Sequence, residues 1–263
     1  VVDLLLVFSL ISEFCYIPVR QEERGELERL VGRVPIPIRE SIDEGSAKIN
    51  VLLQSHISKL KLEGFALLAD MVYVTQSAGR ICRALFEIAI RRGWAQVAEK
   101  CLSLATSVER RLWLSQSPLR QFPVNTPSTS LPEEIIRRLE RQEYLSSLDQ
   151  LYPLTSQELG TLIRASDKGK QLWKLVHGFP RLDHSASVLP ITSSLLRIDL
   201  LITPDFTFDV SLIGAEALVF WILIEDVDCE RLLHYERFVL KSSRSSDEQV
   251  LTFMVPVLDP PQH

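Results

Sequence analysis

The sequence lacks the short motifs on which most enzyme chemistry depends. A phosphate-cradling loop needs G-x-x-x-x-G-K-[ST]; the one Gly-Lys pair, Gly169-Lys170, has Arg164 where the first glycine should stand and Gln171 after the lysine. No G-x-S-x-G elbow, H-E-x-x-H pair or G-x-G-x-x-G loop occurs. The expectation is a chain with no catalytic residue, no metal and no cofactor of its own. Cysteine is scarce and scattered: Cys15, Cys82, Cys101 and Cys229 form no C-x-x-C pair and have no histidine at ligand spacing. That excludes a disulfide scaffold and a zinc site, and it fits a reducing compartment. Long apolar runs are also missing. The longest without a charge, Ala217 to Ile224, falls far short of the roughly 20 residues of a membrane-spanning helix, so no membrane role is expected. The apolar start, Val1 to Ile11, is broken by Asp3 and has no basic region before it. It does not read as a signal peptide and is expected to be the cut edge of a longer chain.

Positive charge is in overall deficit, with 29 Lys and Arg against 34 Asp and Glu. A uniform deficit would argue against nucleic acid, because phosphate binding needs local positive potential. The balance is uneven, however: −3 over residues 1–70, +5 over 71–122, 0 over 123–183 and −7 over 184–263. One segment holds the basic excess.

Residues 46–114 carry helical periodicity. Ile49, Leu53, Ile57 and Leu60 make one apolar stripe, Val74, Ala78, Ile81, Leu85 and Ile88 another, and Ala95 to Leu114 a third helix. Pro118 to Ser130, rich in proline and hydroxyl residues, reads as a linker. Ser130 with Glu133 and Thr155 with Glu158 both match a capping box, and a last helix from about Asp167 to His177 stops at Gly178 and Pro180. From about His184 the period becomes two: Leu196, Ile198, Leu200 and Ile202 alternate with their neighbours. Ala217 to Ile224, Leu232 to Leu240 and Val250 to Val257 are further strand candidates. The expected architecture is multi-domain α + β: a helical bundle over 1–122, a small helix-loop-helix domain over 123–183 and a β-sandwich over 184–263.

Most isolated polar residues have plain readings. Glu225, Asp226, Asp228 and Glu230 do not match a calcium loop and sit where two strands must turn. His56 and His234 stand alone, without the partner that catalysis needs. The segment from Met71 to Gly93 is more informative. As one helix of about 22 residues it would be roughly 33 Å long. Its apolar stripe faces a core, while Gln76, Arg80, Arg83, Glu87 and Arg91 recur at steps of three and four on another face, flanked by Thr75, Ser77 and Gly79. Arginine pairs with phosphate or stacks on a base, and a mid-helix glycine lets a strand come close. The pattern fits a helix running beside single-stranded nucleic acid. It also fits an ordinary solvated face, and Gly79 is equally explained by a closely packed neighbouring helix.

Long strings of the sequence resemble one family. RVPIPIRESIDEGSAKINVLLQSHISKLKLEGFALLADMVYVTQSAGR (Arg33 to Arg80), RGWAQVAEK (Arg92 to Lys100), SPLRQF (Ser117 to Phe122), LITPDF (Leu201 to Phe206), WILIEDVD (Trp221 to Asp228) and HYERFVLK (His234 to Lys241) are similar to the Sec-sixty-three homology unit of the large Ski-two-like RNA helicases, nearest to spliceosomal members. The resemblance covers nearly the whole chain. It implies a helical bundle, a helix-loop-helix domain and an immunoglobulin- or fibronectin-III-like sandwich, packed behind the motor domains of the same parent chain. It further implies a ratchet-like helix, Met71 to Arg92, that touches the single RNA strand through Thr75, Gln76, Ser77, Gly79, Arg80 and Arg83. ATP and magnesium would belong to the motor, outside this chain, and the implied setting is nuclear, among spliceosomal proteins. Two departures from the family pattern stand out: Pro123 to Ser130 makes a longer loop, and the β-domain stops early, so that it reads as a truncated sandwich with apolar edge uncovered. A different class of function is a protein-interaction module whose acidic β-region docks basic partners. A third is the related endoplasmic-reticulum translocation protein, which the absence of a spanning helix disfavours.

Overall fold

The computed structural model describes residues 2–122, 131–141 and 148–256. The protein is mixed α and β, with antiparallel sheets, and divides into two compact units, Val1–Gln116 and Ser117–His263.

The first unit is helical: α1 (Val2–Ser9), α2 (Arg24–Val31), α3 (Gly45–Ile57), α4 (Phe65–Arg92) and α5 (Ala95–Arg110). Most of the two apolar stripes seen in the sequence meets in one core, but Leu60 lies beyond α3 against a second cluster and Ile88 is about half exposed. Ile49, Leu53 and Ile57 of α3 pack on Val74, Ala78, Ile81 and Cys82 of α4, closed by Leu104, Ala105 and Val108 of α5 and by Leu5, Phe8 and Phe14. A second cluster joins Leu27 and Leu30 of α2 to Val51 and Leu52 of α3 and Leu67 of α4. α3 thus lies between two cores, and 10 of its 13 residues are buried. Its polar side chains are therefore inside. Gln54 donates to the Ile36 carbonyl at 3.0 Å and accepts from the Ile36 amide at 3.0 Å, and the Lys48 ammonium bonds Asp70 at 2.6 Å, the Pro18 carbonyl at 2.8 Å and Glu23. Pairing of this kind is what allows a charge to stay buried.

α4 is longer than the sequence pattern indicates. It spans 28 residues, about 42 Å at 1.5 Å per residue, and starts six positions before Met71. The reason is a remote cap: the Glu26 carboxylate accepts from the Gly64 amide at 2.8 Å and the Glu63 amide at 2.6 Å, satisfying donors that a helix start leaves free. A Cβ on Gly64 would come 2.6 Å from that carboxylate. At the other end Gly93 takes φ 73°, the left-handed conformation that ends a helix at little cost in glycine. α5 is shorter than its apolar pattern, since Arg111 turns left-handed at φ 50°.

In the second unit α6 (Glu133–Glu140), α7 (Leu148–Leu151), α8 (Ser156–Leu162) and α9 (Gly169–His177) enclose Ile135, Leu139, Leu151, Leu159, Leu172 and Leu175. Thr155 and Glu158 form the expected capping box at α8. Ser130 lies outside the described residues, as do Pro123 to Thr129, and α6 begins with Pro132 as its cap residue. Pro118–Gln121, expected within a linker, forms a 3₁₀ turn that buries Leu119 in this same core, fastened by Arg120 donating to both Glu140 oxygens at 2.7 Å.

The strands are β1 (Leu182–Thr192), β2 (Leu195–Pro204), β3 (Ala217–Glu225), β4 (Leu232–Lys241) and β5 (Gln249–Pro256), with a short helix, α10 (Val210–Ile213), between β2 and β3. They form an antiparallel sheet of order β1-β2-β5 and an antiparallel pair β3-β4. Ile202 from one sheet and Phe238 and Leu240 from the other share an apolar layer with Leu200, Phe220 and Ile222. Beside that layer lies a cavity of about 510 Å³ lined by Leu182, Val188, Ile198, Ile224 and Phe253. The acidic group at Glu225 to Glu230 is a turn, with the Asp226 carboxylate accepting from the Glu230 and Arg231 amides at 2.9 and 3.1 Å.

Candidate nucleic-acid interface

Val74, Ala78, Ile81 and Cys82 anchor α4 in the core, which rotates Gln76, Arg80 and Arg83 outward to exposed positions and leaves Thr75, Ser77 and Gly79 half-buried beside them. The six positions are not equivalent. Gln76 stands exposed. The Thr75 hydroxyl turns back to donate to the Val72 carbonyl at 3.2 Å. Ser77 and Arg80 converge on Glu13, in the segment after α1. The serine hydroxyl donates to Oε1, and one guanidinium nitrogen of Arg80 reaches both carboxylate oxygens at 2.8 and 2.7 Å. Arg83 instead donates to Glu109 of α5 at 2.7 Å. The stripe is therefore split between two carboxylates, each holding one arginine.

Gly79 lies under the Glu109 side chain. A Cβ built there would meet Glu109 Oε1 at 3.6 Å and Cγ at 3.8 Å, ordinary contact distances. Close helix packing therefore does not require glycine at this position, and its backbone cost of roughly 1 kcal/mol against alanine is unexplained by the interior of the unit.

Glu13 itself has its carboxyl held below the ordinary range by the Ser77 hydroxyl and then by Arg80. It is a fixed anion at neutral pH. Its backbone carbonyl also accepts from the Tyr73 hydroxyl at 3.3 Å, one turn before Ser77 on the same face. Tyr73 is about half exposed and its ring meets Phe14 edge-on, with centroids 6.3 Å apart. Sequence reading missed Glu13, Glu109 and Tyr73. The two glutamates are 67 and 26 positions from the arginines they bind, beyond the reach of any local pattern, whereas the spacing of Tyr73, Ser77 and Arg80 at steps of four and three was available.

No group of histidine, cysteine and carboxylate able to hold a metal occurs among the described residues, and no described helix is long and apolar enough to cross a membrane. Burial pushes the Cys82 thiol up to about 12, so it is a packed side chain and not a nucleophile at neutral pH.

A helical unit presenting an arginine-bearing face is followed by a unit of short helices and antiparallel sheets. The chain belongs to the Sec63 Brl domain family, whose profile matches residues 1–263. Among its curated relatives, the U5 small nuclear ribonucleoprotein 200 kDa helicase of Homo sapiens is 52% identical over 259 residues, covering 98% of this chain and 12% of that protein. The pre-mRNA-splicing factor brr2 of Schizosaccharomyces pombe is 51% identical over 259 residues, with the same coverage. The DExH-box ATP-dependent RNA helicase DExH12 of Arabidopsis thaliana is 49% identical over 259 residues, again across 98% of this chain. This chain thus spans about an eighth of the length of these relatives, 12% in each case.

Proposed function

We propose that this chain is the non-catalytic accessory module of a larger ATP-dependent RNA helicase of pre-mRNA splicing, and that α4 guides the single strand during unwinding of small nuclear RNA duplexes. The observation that carries this is the exposed stripe of Gln76, Arg80 and Arg83, with Ser77 half-buried beside it, on a core-anchored helix about 42 Å long, in a chain whose relatives are named as helicases. A helix clamped by core packing and a remote cap presents its side chains in fixed positions, as a guide must. Arginine suits the task because its planar guanidinium bonds phosphate through its edge and stacks on bases through its face. At Gly79 the absence of a side chain lets the strand approach the helix backbone.

ATP and magnesium would be held by the motor domains of the parent chain. The partners are then single-stranded RNA, those motor domains and other splicing proteins, and the location is the nucleus. We further read the chain as bundle, helix-loop-helix domain and immunoglobulin- or fibronectin-III-like sandwich, with the first boundary before Ser117 and not after Phe122, because Leu119 packs in the core of the second unit. The test is RNA unwinding and RNA affinity of the full-length parent protein carrying Arg80→Ala or Arg83→Ala. Both variants should unwind more slowly and bind single strands more weakly, and wild-type behaviour in both would reject the assignment.

A further inference from the structure

We propose that Glu13 is a positioning residue of the RNA-guiding stripe, one that neutralises Arg80 so that the strand is touched but not trapped; this rests on the reading of α4 given above. Three side chains at helical spacing on one face of α4 converge on this single residue. Tyr73 bonds its carbonyl at 3.3 Å, Ser77 its carboxylate, and Arg80 both carboxylate oxygens at 2.8 and 2.7 Å. Arg80 is otherwise open, with 63% of its side chain exposed, so the pair sits at the surface where a strand would pass.

The pairing decides what Arg80 offers. One terminal nitrogen is taken up by Glu13, and the positive charge is offset by a full negative charge within hydrogen-bond distance. The remaining N–H groups and the planar face stay available for sugar, base edge or base stacking, contacts that do not grow stronger with each phosphate. A strand in motion has to leave each contact as readily as it enters. An unpaired arginine would release a phosphate counterion on binding and hold the strand in place; a neutralised one directs the strand without anchoring it. Glu109 stands to Arg83 as Glu13 does to Arg80, which gives the stripe the same low net charge at its second arginine.

The test measures affinity of the full-length parent protein for a single-stranded RNA across a salt series, together with its unwinding rate. Glu13→Gln keeps a hydrogen-bonding group of the same shape and removes only the charge. Freeing one cation should steepen the salt slope by about 0.7 and raise affinity roughly fivefold at 0.1 M salt, with slower unwinding. Glu13→Asp, which retains the charge, should follow the wild type in slope. In the Arg80→Ala background, Glu13→Gln frees no cation and should not steepen the salt slope. An unchanged or weakened affinity in Glu13→Gln, with Arg80→Ala still weakening binding, would overturn this inference and leave the guiding role standing. If Arg80→Ala also matches the wild type, the guiding role itself fails.

Discussion

Lys48 on α3 reaches Asp70 on α4 with its ammonium 2.6 Å from the carboxylate and no part of its side chain exposed. Glu23 shares the same ammonium, and Arg20 bridges Glu23 and Asp70 at 2.9 and 2.7 Å. The network ties the segment after α1 and the helices α3 and α4 together at the N-terminal end of α4, so the orientation of α4 rests partly on these four charges. Lys48→Met keeps an unbranched stem and removes the charge while Glu23 remains buried. Its expected cost is about 3–5 kcal/mol, seen as a fall in the urea midpoint. A near-wild-type midpoint would show that Arg20 alone satisfies both carboxylates.

The same network makes a pH prediction. Burial pushes the Glu23 and Asp70 carboxyls up, but the bonds from Lys48 and Arg20 outweigh it and leave both below the ordinary range. A carboxyl whose folded pKa is depressed contributes stability that is complete above its unfolded pKa, about 4, and lost as pH falls through the folded value. Denaturation midpoints should therefore be flat above about pH 5 and fall steadily below it. In Lys48→Met the acid limb should become shallower; an unchanged limb would place the acid sensitivity elsewhere.

Asp209, which caps α10, carries a sharper local signature. Its carboxyl is drawn down to about 2, first by the Ser211 hydroxyl and then by Lys174, whose ammonium lies 3.0 Å away. An NMR titration of that carboxyl should give an apparent value near 2, and Ser211→Ala should move it upward by more than Lys174→Met does. Equal shifts in the two variants would show that the ion pair, and not the hydroxyl, governs the site.

Gly79→Ala separates stability from function. Space exists for the methyl group, so the helix should gain up to about 1 kcal/mol. If a strand runs close to the helix backbone, the same methyl should slow unwinding by the parent protein. A rise in melting temperature with no loss of unwinding would mean that the strand does not approach at Gly79.

Leu119→Ala tests where the second unit begins. Leu119 is 1% exposed and packs with Leu131, Ile135 and Leu139. The substitution should cost about 2–5 kcal/mol and act on the second unit, reported by faster hydrogen exchange in α6 and α9. Faster exchange confined to α3 and α4 would place residues 117–122 with the first unit instead.

The kinds of secondary structure, and the face of α4 that turns outward, were legible because they rest on short repeats. Steps of three and four set the faces of α3 and α4, and a step of two marked β2. The Thr155 and Glu158 box marked the start of α8, and Gly93 follows the last residue of α4. In each case the residues that specify the element lie within a turn or two of one another, and the backbone alone brings them together.

Tertiary structure decided the rest. Nothing near Lys48, Asn50 and Gln54 marks them as interior; they are buried because two apolar clusters close on α3 from different sides. α4 begins at Phe65 because Glu26, far back in the chain, caps it. The arginines of the stripe were visible in the sequence as a basic face, but their ion-pair partners were not, since Glu13 and Glu109 reach them from 67 and 26 positions away. Hydrogen bonds and ion pairs act over a few ångströms of space regardless of separation along the chain. The sequence alone therefore determined which side chains α4 presents, and the packing of the unit determined which carboxylates pair with its arginines.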